Sequence, residues 1–434
     1  MHPAKPGGMG MGMKPGWRSV VVCASSALLA CTGSVVEPPD GDLPPDDDSR
    51  ASTMEQNAPD ASLEVAPVLV LNDGREVQAV PPFAPPATSF QPGFHQALRA
   101  SHSTGSVTTF RMRVPVARDG GRIRVTFRAG NGSMTLVRAT VAQAGANGAL
   151  ASTPVKLSFD GAEGFTVDAR SRKTSDPVDF PVAFRDELAI TFEARGALAA
   201  STISAFPGSF ARVGNHALVT GALGGTLFDR AVGVATVDVE GSTGRAFVAI
   251  GDSITEGYVD TKNDTRNAWP AKVEAALGVP VVNAGVSGQG FYDALAHLDG
   301  EVLALQGITD CIVLLGTNDL GDKDSLSLIQ ARMNTMLGRL APFCRTWVST
   351  LLPKEKSNYA PYEVVKSQRP ELNTWLRSGA AGPDIIDLEA VTRQPANVHL
   401  FLDGLDVDGI HPSVEGHRVM ADEVTRVLRE EGGL

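Results

Sequence analysis

The sequence predicts two folded parts in series, an all-β sandwich followed by a three-layer α/β/α sandwich built on a parallel sheet. Two observations lead to this prediction. Between residues 63 and 240, apolar and polar residues alternate with period two, which is typical of half-buried antiparallel strands. Between residues 241 and 434, continuous apolar runs alternate with helical patterns, which is typical of a parallel sheet covered by helices. A chain of 434 residues has room for both domains.

The first 62 residues are predicted to lie outside both domains. Residues 1–30 have the layout of a signal peptide, with Lys14 and Arg18 ahead of an apolar run. The run ends in "LLAC", which resembles a bacterial lipobox, so we expect Cys31 to be the lipidated residue of a lipoprotein. A plain cleaved signal is the alternative, and Met13 is an alternative start. Residues 31–62 are acidic and proline-rich, so we expect a disordered tether.

This leader implies export to the bacterial cell envelope, either lipid-anchored or secreted. The outer membrane is favoured for the anchored form, because Thr32 and not an aspartate follows Cys31. The net charge of −11 argues against nucleic acid as a partner and against any membrane contact beyond the lipid anchor. In an oxidising compartment Cys311 and Cys344, each at the head of an apolar run, are either disulfide-bonded or two buried thiols.

The β-sandwich prediction depends on short alternating runs. In "FRMRVPV" the apolar residues of residues 110–116 share one face, and in "RIRVTFRA" those of residues 122–129 do the same. Three segments rich in glycine or asparagine, "ARDGG", "AGNGS" and "QAGANGA", are predicted to be turns between strands. We therefore expect many short antiparallel strands.

The α/β prediction depends on five apolar runs and the helical stretches between them. The predicted strands are "AFVAIGDS", "VPVVNAGVSG", "DCIVLLGTND", "TWVSTLLP" and "DIIDLEA". The predicted helices are "AWPAKVEAALG", "FYDALAHLDGEVLALQG", "SLSLIQARMNTMLGRLAPF", "RPELNTWLRSG" and the final "VEGHRVMADEVTRVLREEG". Because such crossovers are right-handed, the helices should cover both faces of the sheet.

Polar residues and glycines cluster where these strands end. The carboxyl ends of parallel strands share one edge, so we expect the segments after them to meet there. A serine hydroxyl becomes a nucleophile when a base takes its proton, and an aspartate can orient that base. Ser253, His411 and Asp408 suit these three roles. The amides of Ser253, Gly288 and Asn318 could stabilise an oxyanion. Asp252 is interpreted as a residue that orients the turn.

Taken singly, each of these signals is an ordinary turn, cap or surface pair, but their order resembles a known family. The segments "GDSITEG", "NAGVSGQ", "GTND" and "DGIHP" are similar to the four blocks of the SGNH (GDSL) hydrolases. The resemblance implies a flavodoxin-like catalytic domain with Ser253, Gly288, Asn318 and His411 in the block positions and Asp408 as the acid. The upstream strands are similar to those of a bacterial subgroup that carries an N-terminal β-sandwich.

The predicted function is therefore a serine esterase that hydrolyses small O-acyl esters, including acetyl groups on a glycan. An acyltransferase, thioesterase or lipase of the same fold is the first alternative. A glycan-binding surface lipoprotein with a silent hydrolase domain is the second. No cofactor and no metal site are expected. The aromatic residues near the blocks are interpreted as core or rim packing, with an acyl or sugar pocket as the alternative: Tyr258, Trp269, Phe291 and Tyr292.

Overall fold

A computed structural model describes residues 68–70, 76–78, 88–204, 206–228, 230–258, 264–356 and 361–433. The predicted signal peptide, Cys31 and the tether 31–62 lie outside these residues. The described residues all fall within one compact unit of the chain. Among the described residues, no helix has both the length and the apolar character needed to span a membrane.

Antiparallel strands make up the first part of this unit, called here the β region (residues 88–242). A separate hairpin precedes it, formed by β1 (Val68–Val70) and β2 (Glu76–Gln78). The strands of the β region are β3 (Thr88–His95), β4 (Ala100–Val116), β5 (Gly120–Gln143), β6 (Val155–Leu157), β7 (Phe165–Val167), β8 (Arg172–Thr174), β9 (Val178–Val182), β10 (Asp186–Ser204), β11 (Phe210–Val213), β12 (Thr226–Leu227), β13 (Arg230–Val232) and β14 (Val234–Ser242).

Strands β4, β5 and β10 are longer than the alternating runs predict. Strand β5 spans 24 residues and passes through "AGNGS", so the prediction of a turn there is wrong. A Cβ atom on Gly130 would lie 2.3 Å from Ser101 Oγ and 2.7 Å from the carbonyl oxygen of Leu198. The glycine therefore serves close approach of neighbouring strands and not a turn. The segments "ARDGG" and "QAGANGA" do end strands, as predicted.

The apolar faces of the alternating runs are buried together. The first half of β5 pairs with β14, β8 and β9, and its second half pairs with β10, β6 and β7. One hydrophobic cluster draws on both halves and includes the predicted apolar residues Phe110, Met112, Val114, Val116, Ile123, Val125 and Phe127. The period-two pattern therefore predicts the buried face correctly.

A five-stranded parallel sheet lies in the second part, called here the α/β region (residues 247–433). Its strands are β15 (Phe247–Gly251), β16 (Val281–Gly285), β17 (Asp310–Leu314), β18 (Arg345–Ser349) and β19 (Asp384–Ile386). Their order in the sheet is β16-β15-β17-β18-β19, which is the flavodoxin-like order. Gly251 pairs with both Gly285 and Leu314, so the first three strands end level with one another. A small hairpin, β20 (Arg393–Gln394) and β21 (Asn397–Phe401), follows the sheet.

Eight α-helices accompany the sheet in the described part of the chain, together with a 3-10 turn at Thr265–Asn267 and a π-helical turn at Asp299–Leu303. The α-helices are α1 (Ser253–Glu256), α2 (Trp269–Leu277), α3 (Phe291–Leu298), α4 (Thr317–Gly321), α5 (Leu326–Leu340), α6 (Tyr362–Arg377), α7 (Leu388–Thr392) and α8 (Val414–Glu430). Helix α8 packs against α2 and α7, whereas α5 packs against α3, α4 and α6. A sheet with helices on both faces would have two such groups of helices. The three-layer arrangement itself stays a prediction.

Helix α6 begins at Tyr362, seven residues before the stretch that the sequence predicts to be helical, and Pro370 lies inside it. Proline normally disfavours a helix interior. Here tertiary contacts hold the helix across that position. The side chain of Asn373 binds both backbone groups of Leu351, and the guanidinium of Arg369 donates to the Leu351 carbonyl and to Glu389.

Cys311, the second residue of β17, and Cys344, which precedes β18, form a disulfide. Both cysteines lie at the amino ends of neighbouring strands, which places the bond at the sheet edge opposite the strand ends that carry the polar segments. Of the two alternatives that the sequence leaves open, the structure has the bonded one.

The β region and the α/β region are joined by hydrogen bonds and by a largely buried ion pair. Ala97 N donates to the Asn283 carbonyl at 3.1 Å, so the end of β3 extends beside β16. The guanidinium of Arg128 in β5 binds the carboxylate of Glu301, which follows α3. These contacts fix the β region against the sheet that carries Ser253.

Candidate active site

Ser253 stands at the point where β15 gives way to α1. Asp252 caps this short helix, because its side chain accepts a hydrogen bond from Ile254 N at 2.9 Å. A Cβ atom on Gly251 would lie 1.9 Å from Thr255 Oγ1, so only glycine permits so tight a turn. Burial raises the pKa of Asp252 to about 7. The hydrogen bond to Ile254 N shows that the side chain of Asp252 orients the turn, which is the role that the sequence predicts for it.

Three predicted residues meet at this strand end. Ser253 Oγ lies 3.0 Å from His411 Nε2, and His411 Nδ1 lies 2.9 Å from Asp408 Oδ2. Because a carboxylate only accepts, Nδ1 carries the ring proton and Nε2 is left to accept from the serine hydroxyl. The backbone amides of Ile410 and His411 donate to the other oxygen of Asp408 at 3.0 and 2.8 Å. Four hydrogen bonds therefore order the serine, the imidazole and the carboxylate.

The surroundings of His411 favour the neutral form of its ring, mainly because the ring is buried. Burial lowers the pKa of His411 below its ordinary value of 6.5, and the nearby charges of Lys354 and Lys356 act in the same direction. The hydrogen bond that the ring donates to Asp408 and the negative charge of that carboxylate raise the pKa, but they do not outweigh burial and the lysines. Burial alone would raise the pKa of Asp408, but its hydrogen bonds to the His411 ring and amide hold that pKa below its ordinary value. A neutral imidazole beside an ionised carboxylate is the arrangement a general base requires.

Gly288 lies on a loop that is hydrogen bonded to the end of β15. Val286 N donates to the Gly251 carbonyl at 3.0 Å, and Gln289 Nε2 donates to the same oxygen at 2.6 Å. Gly288 has a φ of +83°, a backbone conformation that favours glycine. The loop after β16 is thereby attached to the strand that carries Ser253.

Asn318 is the second residue of α4, the short helix after β17, and its side chain reaches the loop that carries Gly288. Its Nδ2 donates to the Gln289 carbonyl at 3.0 Å. An amide nitrogen has two hydrogens, so one further donor remains on this atom. The structure thus brings the loop of Gly288 and the start of α4 to the strand end of Ser253.

Sequence reasoning did not single out three residues that order these loops. Gln289 binds the Gly251 carbonyl, as described above. Both carboxylate oxygens of Asp319 accept from Phe291 N at 3.0 and 3.1 Å, and burial raises the pKa of Asp319 to about 6. Lys354 is buried and donates to the Thr317 carbonyl at 2.9 Å. Gln289 and Asp319 adjoin predicted residues in "SGQG" and "GTND", but that adjacency did not reveal their partners.

The four aromatic residues near the blocks separate into core and surface. Trp269 and Phe291 are fully buried in the hydrophobic core of the α/β region, which agrees with the packing interpretation. Tyr292 is exposed and lies against the guanidinium of Arg332. Tyr258 is 41% exposed and contacts the ring of His411. Tyr258 is therefore the one of these four that lies beside the candidate site.

One segment of the chain is similar to a known protein family. Residues 249–419 match the model of the GDSL-like Lipase/Acylhydrolase family. No curated protein matches the chain. The matched segment contains the five predicted residues Ser253, Gly288, Asn318, Asp408 and His411.

Several solved structures match part of the chain, and three of them illustrate the range of identity. A protein assigned to the G-D-S-L lipolytic family from Desulfitobacterium hafniense is 26% identical, covers 42% of this chain and 99% of its own, and has a TM-score of 0.37. An acetylxylan esterase from Geobacillus stearothermophilus is 22% identical, covers 44% of this chain and 95% of its own, and has a TM-score of 0.35. A GDSL-like lipase from Bacteroides thetaiotaomicron is 19% identical, covers 44% of this chain and 89% of its own, and has a TM-score of 0.35.

Proposed function

We propose that this protein, a hydrolase whose residues 249–419 match the model of the GDSL-like Lipase/Acylhydrolase family, is a serine esterase that cleaves small O-acyl esters with Ser253 as nucleophile. The observation that carries the proposal is the chain of hydrogen bonds from Ser253 Oγ to His411 Nε2 and from His411 Nδ1 to Asp408. These hydrogen bonds connect a weak nucleophile, Ser253, to a neutral base, His411, and the base to an ionised carboxylate, Asp408, that orients it.

In the first step, Ser253 Oγ attacks the ester carbonyl carbon while its proton passes to His411 Nε2. The carbonyl oxygen becomes an oxyanion, which accepts hydrogen bonds from the amides of Ser253 and Gly288 and from Asn318 Nδ2. Asp408 stabilises the imidazolium that forms. The carbon–oxygen bond to the alcohol then breaks, and the alcohol takes the proton from Nε2.

In the second step, water attacks the acyl group on Ser253. His411 Nε2 accepts the proton of the water, and the bond between Ser253 Oγ and the acyl carbon breaks. The serine oxygen recovers the proton, and the acid leaves. No redox change and no cofactor enter either step.

Small acyl groups, including acetyl groups on a glycan, are proposed because the reacting atoms lie in a confined position. Ser253 is only 7% exposed, and Tyr258 lies against the adjacent imidazole. A panel of p-nitrophenyl acetate, butyrate and octanoate should show kcat/KM falling with acyl length. Acetylated xylan and a triglyceride should separate a glycan esterase from a lipase.

The decisive experiment replaces the nucleophile. Ser253→Ala should abolish hydrolysis of p-nitrophenyl acetate while the circular dichroism spectrum and Tm are kept. Ser349→Ala is the matched control, because Ser349 is also a buried serine at the end of a parallel strand and its hydroxyl has no hydrogen-bond partner in the described residues. The control should retain full activity. Hydrolysis by the Ser253→Ala variant at the parent rate would refute the proposed function.

A further inference from the structure

The carboxylate of Glu256 links the β region to the loop that carries Gly288. Glu256 is the last residue of α1 and is 1% exposed. One carboxylate oxygen accepts from the backbone amides of Thr202 and Ile203, at 2.9 and 3.2 Å, near the end of β10. The other oxygen accepts from Ser287 N at 2.6 Å and from the Thr202 hydroxyl. A single buried side chain thus joins β10, α1 and the loop after β16.

The Thr202 hydroxyl completes this junction. It donates to Glu256, and its oxygen lies 3.2 Å from Ser287 N, which gives that amide a second acceptor. Burial raises the pKa of Glu256, and the hydrogen bonds from Thr202, Ser287 and Ile203 oppose this rise. The four donors are those that an ionised carboxylate needs in a buried position. Both carboxylate oxygens of Glu256 are therefore hydrogen bonded.

Gly288, the residue after Ser287, is not held by packing. It is exposed, and a Cβ atom built on it would meet no atom within 4 Å. On its far side, Gln289 is bound through its side chain to Gly251 and through its carbonyl to Asn318. On its near side, Ser287 N donates to Glu256 and Thr202, and the Val286 carbonyl accepts from Gln289 N at 3.2 Å across the turn. The direction of the Gly288 amide therefore depends on hydrogen bonds at both flanks.

We infer that Glu256 and Thr202 are positioning residues, which direct the Gly288 amide at the oxyanion and make the end of β10 a working part of the active site. The inference rests on the proposed function, because it assumes that the Gly288 amide stabilises the transition state. It assigns the β region a role in catalysis that needs no glycan binding. An oxyanion donor acts only when it is aimed in advance, so a small rotation of the Ser287–Gly288 peptide should slow the reaction.

The test compares two buried carboxylates that both join the β region to the α/β region. Glu256→Gln replaces an acceptor of Ser287 N by an amide, whereas Glu301→Gln weakens the contact with Arg128 and leaves the Gly288 loop unchanged. Glu301 is 5% exposed, so burial is matched. We expect Glu256→Gln to lower kcat for p-nitrophenyl acetate by about 10- to 100-fold with KM within twofold. Glu301→Gln should keep the parent kcat even where its Tm falls.

A second pair of variants keeps the test decisive if Glu256→Gln folds poorly. Thr202→Val removes the hydroxyl but keeps the backbone amide, and it should lower kcat by about 3- to 10-fold. Thr202→Ser retains the hydroxyl and should restore the parent kcat. A boronic acid that forms a tetrahedral adduct with Ser253 should bind the Glu256→Gln and Thr202→Val variants more weakly in proportion to kcat. The acid limb of the pH profile, which reports His411, should not move.

The outcomes separate this inference from the proposed function. Ser253→Ala is measured in the same assay, and activity in that variant would remove the proposed function itself. If Ser253→Ala is inactive but Glu256→Gln and Thr202→Val both keep a kcat within twofold of Glu301→Gln, the positioning role is wrong and the serine mechanism stands.

Discussion

The ring of Tyr258 meets the imidazole of His411 edge to face, with the ring centroids 4.7 Å apart and an angle of 66° between the planes. Tyr258 N also donates to the Ser253 carbonyl at 2.8 Å. Tyr258 is thus bound to the serine at one end and packs against the base, His411, at the other. Its ring limits the rotation of the imidazole.

Removing this ring should weaken the support of the imidazole. An aromatic pair contributes about 0.5–1.5 kcal/mol, so Tyr258→Ala should lower kcat/KM by about 2- to 12-fold. Tyr258→Phe keeps the ring and should stay within twofold of the parent. Steady-state kinetics with p-nitrophenyl acetate checks both. A phenylalanine variant as slow as the alanine variant would assign the effect to the hydroxyl and not to the ring.

The pH profile should follow the protonation of His411. The base works only when its ring is neutral, so kcat/KM should rise with pH as His411 loses its proton. Because burial and two lysines lower its pKa, the midpoint of this rise should lie below 6.5. Lys356→Gln removes one positive charge, which favours the protonated ring, and the midpoint should therefore move to higher pH.

The lysine variant has a matched control and a salt test. Lys366 lies on α6 and is not among the charges that act on His411, so Lys366→Gln should leave the midpoint unchanged. Lys356 is exposed, so raising the salt concentration should shrink the shift that Lys356→Gln causes. A midpoint above 6.5 in the parent enzyme, or a downward shift in Lys356→Gln, would contradict the electrostatic account of this site.

The disulfide should support stability without supporting chemistry. It closes a loop with a sequence separation of 33 residues, for which chain entropy predicts about 3–4 kcal/mol. Replacing Cys311 and Cys344 together by alanine should lower the free energy of unfolding by roughly that amount. The value of kcat at 25 °C should stay at the parent level, because the bond lies at the sheet edge opposite Ser253. Urea unfolding followed by circular dichroism measures the free energy of unfolding, and kinetics on the same samples measures kcat. A large fall in kcat with the fold intact would show that the disulfide end of the sheet is coupled to the end that carries Ser253.

Much of the fold could be predicted from local patterns. The five parallel strands lie where the continuous apolar runs predict them, because a strand buried on both faces must be apolar along its whole length. The alternating runs likewise predict the buried face of the β region. The errors arise where contacts between distant segments override local preference. Gly130 lies within a strand because another strand approaches it, and Pro370 lies within a helix that contacts around Leu351 hold in place.

For the candidate site, residue types at strand ends indicated which atoms could react but not what orders them. Glu256 stands in the quoted segment "GDSITEG", yet nothing around it in the sequence indicates Thr202, which lies 54 residues away. Gln289 and Asp319 were missed for the same reason. A hydrogen bond between distant segments leaves no periodic trace in either of them.

By itself the sequence determined the order of strands and helices and the chemistry that each strand end carries, because hydrophobic periodicity and turn residues act over a few neighbouring positions. Only the tertiary structure decided which groups touch. Ser253 and His411 are 158 residues apart and meet because the parallel sheet brings the ends of its strands to one edge. The end of β10 lies at the same place because the buried carboxylate of Glu256 needs hydrogen-bond donors, and Thr202 and Ile203 supply them.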